Sequence, residues 1–324
     1  MNTPDAELII LGGGPAGLTA AQYGARANLS VLVIEQLAPG GQALLIDKLE
    51  NYPGIAPDMS GYDFAEGLRR QAEEFGAQFL SDSALSLEKK GDSFRITLGS
   101  GGTLEGPGVI VATGTKHRTL NIPGEAEFYG RGVSYCAACD GPFFKNKKIF
   151  VVGGGDAACG EAQYLARLSP QVVLIHRRDR FRAQKAIAER TLKNSHIEVR
   201  FNTRMLEIRG DRQVSSVVLE GNDMGTRYEE DAAAVFVFTG TVPQAAFLSG
   251  LSSGSSPALP QCGYDENGYI LTDQTMATTV PGLFAAGDVR ATPFRQVVVA
   301  AGEGAVAAHS AAAYIAALKG EAYR

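Results

Sequence analysis

Residues 7–35 read ELIILGGGPAGLTAAQYGARANLSVLVIE. Four apolar residues stop at a glycine triplet, a stretch rich in alanine and glycine follows, and a second apolar run ends on an acid. Short apolar runs without polar alternation mark strands buried on both faces, as in parallel sheets. The pattern predicts a strand, a glycine turn, a helix with small residues on one side, and a second strand. It recurs at 148–176, KIFVVGGGDAACGEAQYLARLSPQVVLIH. Two more apolar runs, VIVATGT ending at Thr115 and GLFAAGDVR ending at Arg290, close on small-residue turns. The sequence from Phe294, FRQVVVAAGEGAVAAHSAAAYI, then opens a long helix, and residues 251–268, LSSGSSPALPQCGYDENG, read as loop and turn.

Gly12, Gly14 and Gly17 fill a G-x-G-x-x-G pattern. The first permits the tight turn, the second lets backbone approach a pyrophosphate, and the third packs helix against strand. Glu35 ends the second strand, where a carboxylate would bind a ribose hydroxyl pair. In the second unit Gly153, Gly155 and Ala158 form G-x-G-x-x-A, and the acid is replaced by His176, Arg177 and Arg178, with Arg182 just beyond. An acid there would repel a 2′-phosphate, whereas guanidinium groups bind it through charge-assisted bonds. The economical assignment is FAD in the first unit, helped by the glycine pair of APGGQ, and NADPH in the second. The expected fold is therefore α/β, with two Rossmann-like dinucleotide-binding domains and the second inserted in the first. The expected boundaries are 1–117 and 244–324 for the FAD domain and 118–243 for the NADPH domain.

A length of 324 residues suits two domains. Glycine, at 39 residues, is well above the usual share of about 7%, and its short runs fit turns at bound phosphates. A net charge of −5 gives no footprint for nucleic acid or an anionic membrane. The start, MNTPDAELIILGGG, lacks the basic region of a signal peptide, and Glu303 and His309 interrupt the apolar C-terminal stretch, which reads as a buried helix. The expectation is a cytoplasmic protein in a reducing compartment, where a disulfide is catalytic more often than structural.

Cys136 and Cys139 form a C-x-x-C, followed by Asp140. Such a pair serves as half of a zinc site, as a redox disulfide, or as packing thiols. Cys159, Cys262 and four scattered histidines supply no second ligand pair, so no metal is expected. The adjoining Asp140 and Gly141 and the position inside the NADPH unit favour the redox disulfide. Cys159, on the helix after the second glycine turn, reads as a small packing residue, and Cys262 has no assigned role.

These motifs occur together and in one order: GGQ at 40–42, ENYPG at 50–54, ATG at 112–114, CAACDG at 136–141, GGGDAA at 153–158, HRRDRFR at 176–182 and AAGDV with RQ ending at Gln296. Over essentially its whole length the chain resembles the bacterial-type, low-molecular-weight thioredoxin reductases, NADPH-dependent FAD disulfide oxidoreductases. The resemblance implies a homodimer in which NADPH reduces FAD, FAD reduces the C-x-x-C, and the dithiol reduces thioredoxin or a thioredoxin-like protein. It implies that Cys139 contacts the flavin, Cys136 attacks the partner disulfide, and Asp140 protonates the departing thiolate. It assigns Gly12, Gly14, Pro15, Ala16, Gly17, Glu35, Gly41, Gln42, Asn51, Ala112, Thr113, Gly114, Gly287, Asp288, Arg295, Gln296 and Val297 to FAD. It assigns Gly153, Gly155, Asp156, Ala157, His176, Arg177, Arg178 and Arg182 to NADPH. Hinges are expected near Thr115–Arg118 and Gly240–Gln244, since the family alternates two domain orientations. Phe143 and Phe144 are either an apolar partner patch or core aromatics.

The chain departs from the family at Ala138, where threonine is commoner, at Pro142, at Gly160 in place of a glutamate, and in SSGSSPALPQ. It shows neither an N-terminal thioredoxin-like extension nor a C-terminal cysteine tail, which argues against the alkyl hydroperoxide reductase flavoprotein and the large animal reductase. A flavin-dependent oxidase of a small-molecule dithiol is the alternative reading, and a non-catalytic redox sensor ranks behind it.

Overall fold

In the computed structural model, which describes residues 6–46, 48–56, 58–221, 225–248 and 262–321, the apolar runs become two parallel sheets. The chain divides into two compact units, Met1–Lys116 with Val242–Arg324, and His117–Thr241. The boundaries expected from sequence differ from this division by one residue at the first crossing and two at the second.

The first unit centres on a five-stranded parallel sheet in the order Leu283–Ala285, Gly108–Val111, Leu8–Leu11, Val31–Glu35, Gln78–Ser81. Every residue of Leu8–Leu11 is buried, because both faces of the sheet are covered. Leu8 and Ile10 pack with the alanines of helices Pro15–Arg26 and Val297–Lys319. Ile9 and Leu11 point the other way, onto Leu87, Phe94 and Ile96 of a three-stranded antiparallel sheet. Period-two geometry thus splits one apolar run between two cores. Cys262 is buried in the second of these cores.

The second unit repeats the plan. Its sheet runs Ile197–Arg200, Val172–Ile175, Ile149–Gly153, Ala234–Phe238, Val133–Ser134, all parallel. Ile149 and Val151 pack on Ala158, Cys159, Ala162 and Leu165 of helix Asp156–Ala166, which gives Cys159 the packing role expected of it. Phe150 packs on Met205, Val217 and Leu219 of a second antiparallel three-stranded sheet. The crossing segments Thr115–His117 and Thr241–Pro243 run as a two-stranded ribbon.

Helix Val297–Lys319 passes the length and composition test for a membrane span, yet half of its apolar window is buried within the fold. It crosses Pro15–Arg26 so closely that a Cβ on Gly304 would lie 2.1 Å from the Ala16 carbonyl oxygen. Glu303, the charge in the middle of the apolar stretch, is buried, accepts the Gly287 amide at 2.8 Å and pairs with Arg290. A buried carboxylate is tolerable only with such partners.

Adding one methyl group at two sites two residues apart should therefore have opposite effects. Gly304→Ala should destabilise the protein by about 1–3 kcal/mol through overpacking. Gly302→Ala, whose Cβ would meet nothing within 4 Å, should be neutral or stabilise by up to about 1 kcal/mol from helix propensity. Denaturant unfolding of the two variants measures the difference.

Candidate functional site

At the end of Leu8–Leu11 the chain turns at Gly12, whose φ of +102° and close seat 2.4 Å from the Ala112 carbonyl oxygen (measured from a would-be Cβ) admit only glycine. A Cβ on residue 17 would lie 1.9 Å from the Gly12 carbonyl oxygen, whereas one on Gly14 would meet nothing within 4 Å. The outer two glycines are thus demanded by packing and the middle one faces open space. Helix Pro15–Arg26 starts there with no side-chain cap, so its first amides, over the buried Ala16, suit an anionic pyrophosphate. Glu35, expected at a ribose hydroxyl pair, accepts the Gly13 amide at 2.7 Å through one oxygen and the Leu37 amide at 2.9 Å through the other, locking the turn. The Gly40 amide donates to the Gly13 carbonyl at 2.6 Å, which brings Gly41 against Gly14, and Gln42 donates to the Thr115 carbonyl at 2.6 Å.

Other segments of this unit converge on the same end of the sheet. Asn51 donates to the side chain of Gln296 at 2.7 Å, joining two sequence motifs 245 residues apart. Gln296 is the N-cap residue of Val297–Lys319 and its carbonyl accepts the Ala300 amide at 2.9 Å, but its side chain caps none of the amides before that one. The turn Ala112–Gly114 is clamped by Gln244, which bonds the Thr113 carbonyl at 2.9 Å and the Gly114 carbonyl at 3.0 Å and whose own carbonyl accepts from Thr113 Oγ1 at 2.6 Å. In sequence Gln244 reads only as the end of a hinge candidate, since no local signal marks a partner 131 residues away. The Arg295 guanidinium lies 3.8 Å over the Tyr269 ring, and its Nε is buried without a hydrogen-bond partner. Burial pushes the carboxyl of Asp288, beside Gly287, above its ordinary value, with Arg295 opposing. An orphaned donor, an open glycine and two uncapped helix starts fit a dinucleotide such as FAD.

In the second unit a Cβ on Gly153 would lie 2.4 Å from the Phe238 carbonyl oxygen, while one on Gly155 would meet nothing within 4 Å. The same division between packing and open glycines returns. His176, only 6% exposed, lies behind the turn, its ring 2.4 Å from where a Cβ of Gly154 would be, and its Nε2 has no partner. Burial holds it below the ordinary histidine value, and Arg182, Arg178 and Arg177 add to this, so it is neutral. Arg177, Arg178 and Arg182 are exposed. The Arg182 amide donates to the Gly154 carbonyl at 2.7 Å, bringing the arginine loop back to the glycine turn. Asp156 is the first residue of helix Asp156–Ala166, next to exposed Ala157, and Gly160 has no close neighbour that would require glycine. Nothing in the structure explains the departure at Gly160.

Cys136 and Cys139 are joined in a disulfide, with Cys136 half-buried and Cys139 exposed. The Cys139 amide donates to Cys136 Sγ at 3.1 Å. An amide donor to sulfur is the kind of contact that stabilises a thiolate. Ser134 Oγ receives the Cys136 amide at 3.0 Å and donates to the Cys136 carbonyl at 3.1 Å, which holds the residue extended. Tyr135 is anchored by a 2.8 Å bond to Glu125, itself 4% exposed and accepting the Leu120 and Asn121 amides at 2.7 Å each. Neither Ser134 nor Glu125 carried a motif. Asp140 lines a cleft of about 220 Å³ with Arg131, Ser134, Phe143 and Lys147. The two phenylalanines part company: Phe143 is 73% exposed, whereas Phe144 packs edge-on against Phe236 with ring centroids 6.1 Å apart.

Two dinucleotide folds and a small-loop disulfide define a two-electron disulfide oxidoreductase. The profile of the pyridine nucleotide-disulphide oxidoreductase family matches residues 6–304. The thioredoxin reductase of Treponema pallidum is 54% identical over 311 residues, 96% of this chain and 97% of that one. The Lactococcus lactis thioredoxin reductase structure superposes with a TM-score of 0.89 at 38% identity, over 97% of this chain and 100% of its own. That of T. acidophilum gives 0.88 at 31% identity, over 96% and 99%. The chain belongs to the pyridine nucleotide-disulphide oxidoreductase family and, within it, to the bacterial-type thioredoxin reductases. Membership implies FAD and NADPH as cofactors.

The two remaining cysteines should be inert. Burial pushes the Cys159 thiol up to about 11 and raises that of Cys262 as well. At pH 8 both remain thiols, and their thiolate fraction grows only as pH rises further. After chemical reduction, brief iodoacetamide treatment at pH 8 should modify Cys136 and Cys139 and spare Cys159 and Cys262, as read by peptide mass.

Proposed function

We propose that this chain is an NADPH-dependent thioredoxin-disulfide reductase that uses the Cys136–Cys139 pair as its transfer disulfide. The observation that carries the reading is that pair, followed directly by Asp140, in a unit whose glycine turn is bonded by the backbone of an exposed arginine segment. FAD, when bound at the first glycine turn, would supply the two-electron link between NADPH and the disulfide. In the reduced enzyme the Cys136 thiolate, favoured by the Cys139 amide, attacks one sulfur of the partner disulfide and forms a mixed disulfide. The Cys139 thiolate then displaces it, re-forming Cys136–Cys139 and releasing the partner as a dithiol. Asp140 handles the proton that the departing thiolate requires. Two electrons and two protons reach the partner in each cycle.

Under this proposal the glycine turn, Pro15, Ala16, Glu35, Gly41, Gln42, Asn51, Ala112–Gly114, Gly287, Asp288 and Arg295–Val297 hold FAD. The open face at Gly14 and the start of Val297–Lys319, which has no side-chain cap, support the assignment. Gly153, Gly155, Asp156 and Ala157 form the NADPH turn, with His176 beneath it and Arg177, Arg178 and Arg182 at the 2′-phosphate. Exposed Phe143 is the apolar contact for a thioredoxin-like protein. A homodimer working in the cytoplasm completes the proposal, as the resemblance to the bacterial-type thioredoxin reductases implies.

Anaerobic NADPH should bleach the flavin of both wild type and Cys136→Ser, while thioredoxin turnover should fall about 10³-fold or more in the variant. Undiminished turnover in Cys136→Ser would overturn the assignment of the attacking thiol. Arg177→Ala/Arg178→Ala should lower the preference for NADPH over NADH about 100-fold through lost charge-assisted bonds. An unchanged kcat/KM ratio would remove the arginines from the 2′-phosphate.

A further inference from the structure

Four arginines, Arg177, Arg178, Arg180 and Arg182, fall within six residues, and their side chains are exposed. Like charges at such spacing repel, and an exposed segment carrying them needs ties to hold one conformation. The backbone supplies a first tie, from the Arg182 amide to the Gly154 carbonyl at 2.7 Å. A second lies two residues on. The Gln184 amide donates to Asp156 Oδ1 at 2.7 Å and Gln184 Nε2 donates to Asp156 Oδ2 at 2.7 Å. Both carboxylate oxygens of Asp156 are thus engaged by one residue, at the first position of the helix whose start forms the second glycine turn.

This geometry bears on how the acid at position 156 can act. A carboxylate beside a glycine turn would repel a pyrophosphate if it pointed into the open face at Gly155. Engaged by two donors of Gln184, it is drawn toward the end of the arginine segment, where its charge also opposes the mutual repulsion of the guanidinium groups. The segment is therefore fastened at 182 and 184 to the glycine turn, and the arginines are held at a set distance from it.

We propose that Asp156 and Gln184 form a clasp that positions the arginine segment for the 2′-phosphate, making Asp156 a positioning residue for the choice of NADPH over NADH. The proposal rests on the reading of Arg177, Arg178 and Arg182 as the phosphate-binding groups. A nucleotide without a 2′-phosphate does not use those arginines, so the clasp acts on one cofactor and leaves the other alone.

The test uses the FAD-loaded enzyme and two readouts. Calorimetric binding of 2′,5′-ADP and of 5′-ADP is compared in wild type, Asp156→Ala, Gln184→Ala and Asp156→Asn, alongside kcat/KM for NADPH and NADH. Gln184→Ala, at a residue outside the nucleotide turn, should weaken 2′,5′-ADP about tenfold, the loss of roughly one charge-assisted bond, with 5′-ADP unchanged and the NADPH/NADH ratio reduced equally. Asp156→Ala should weaken 2′,5′-ADP at least as much, and more than it weakens 5′-ADP. Asp156→Asn, which still offers an oxygen to the Gln184 amide, should restore most of the selectivity. A selective wild type with unaltered selectivity in Gln184→Ala would overturn the clasp alone. Equal weakening of both nucleotides in Gln184→Ala would also overturn it. A wild type that binds both nucleotides equally would overturn the arginine reading and, with it, the clasp.

Discussion

Each unit depends on one contact: the end of a central strand pressed against the first turn of the helix that follows it. In the first unit the Gly12 carbonyl occupies space that a Cβ on residue 17 would need. In the second, Gly153 is wedged between the Phe238 carbonyl and Ala158. Only residues with little or no side chain permit this approach, and the approach fixes where the helix amides open. The side-chain space in front of the middle glycine stays open, since a Cβ on Gly14 or Gly155 would meet nothing within 4 Å. The sheets, the split apolar strands and the alanine-rich helices hold that contact in place.

Once the turns are fixed, the difference in their chemistry follows from what the adjoining strand delivers. Val31–Glu35 brings an acid that bonds two backbone amides. Val172–Ile175 brings a buried neutral histidine and then a cationic segment. The same backbone plan is thereby given opposite electrostatic character, the physical requirement for two nucleotides with different roles. The disulfide adds a third station, with the Cys136 sulfur already accepting a hydrogen bond that suits a thiolate.

The glycine turns and the cysteine pair were legible in the sequence because each requires a particular residue type at a particular spacing. The polar contacts that hold them in place were not. Gln244 on Thr113, Glu125 on Tyr135 and Gln184 on Asp156 are ordinary polar residues that gain meaning only from partners 131, 10 and 28 positions away. Glu303 was legible as an interruption of an apolar helix, but its pairing with Arg290 across 13 positions was not. His176 was legible as a member of a motif, whereas its burial behind Gly154 needed the fold. The residues 252–261, an unusual connection in sequence, lie outside the described residues.

On the proposed reading, electrons from NADPH arrive at Cys136 and Cys139 through FAD. The most direct measurement counts thiols at those two positions by mass-labelling after anaerobic addition of NADPH, one equivalent at a time, to the FAD-loaded enzyme. NADPH should create two new alkylatable thiols per chain, at Cys136 and Cys139, and none at Cys159 or Cys262. A flavin that bleaches fully while the Cys136–Cys139 disulfide stays closed would contradict that reading.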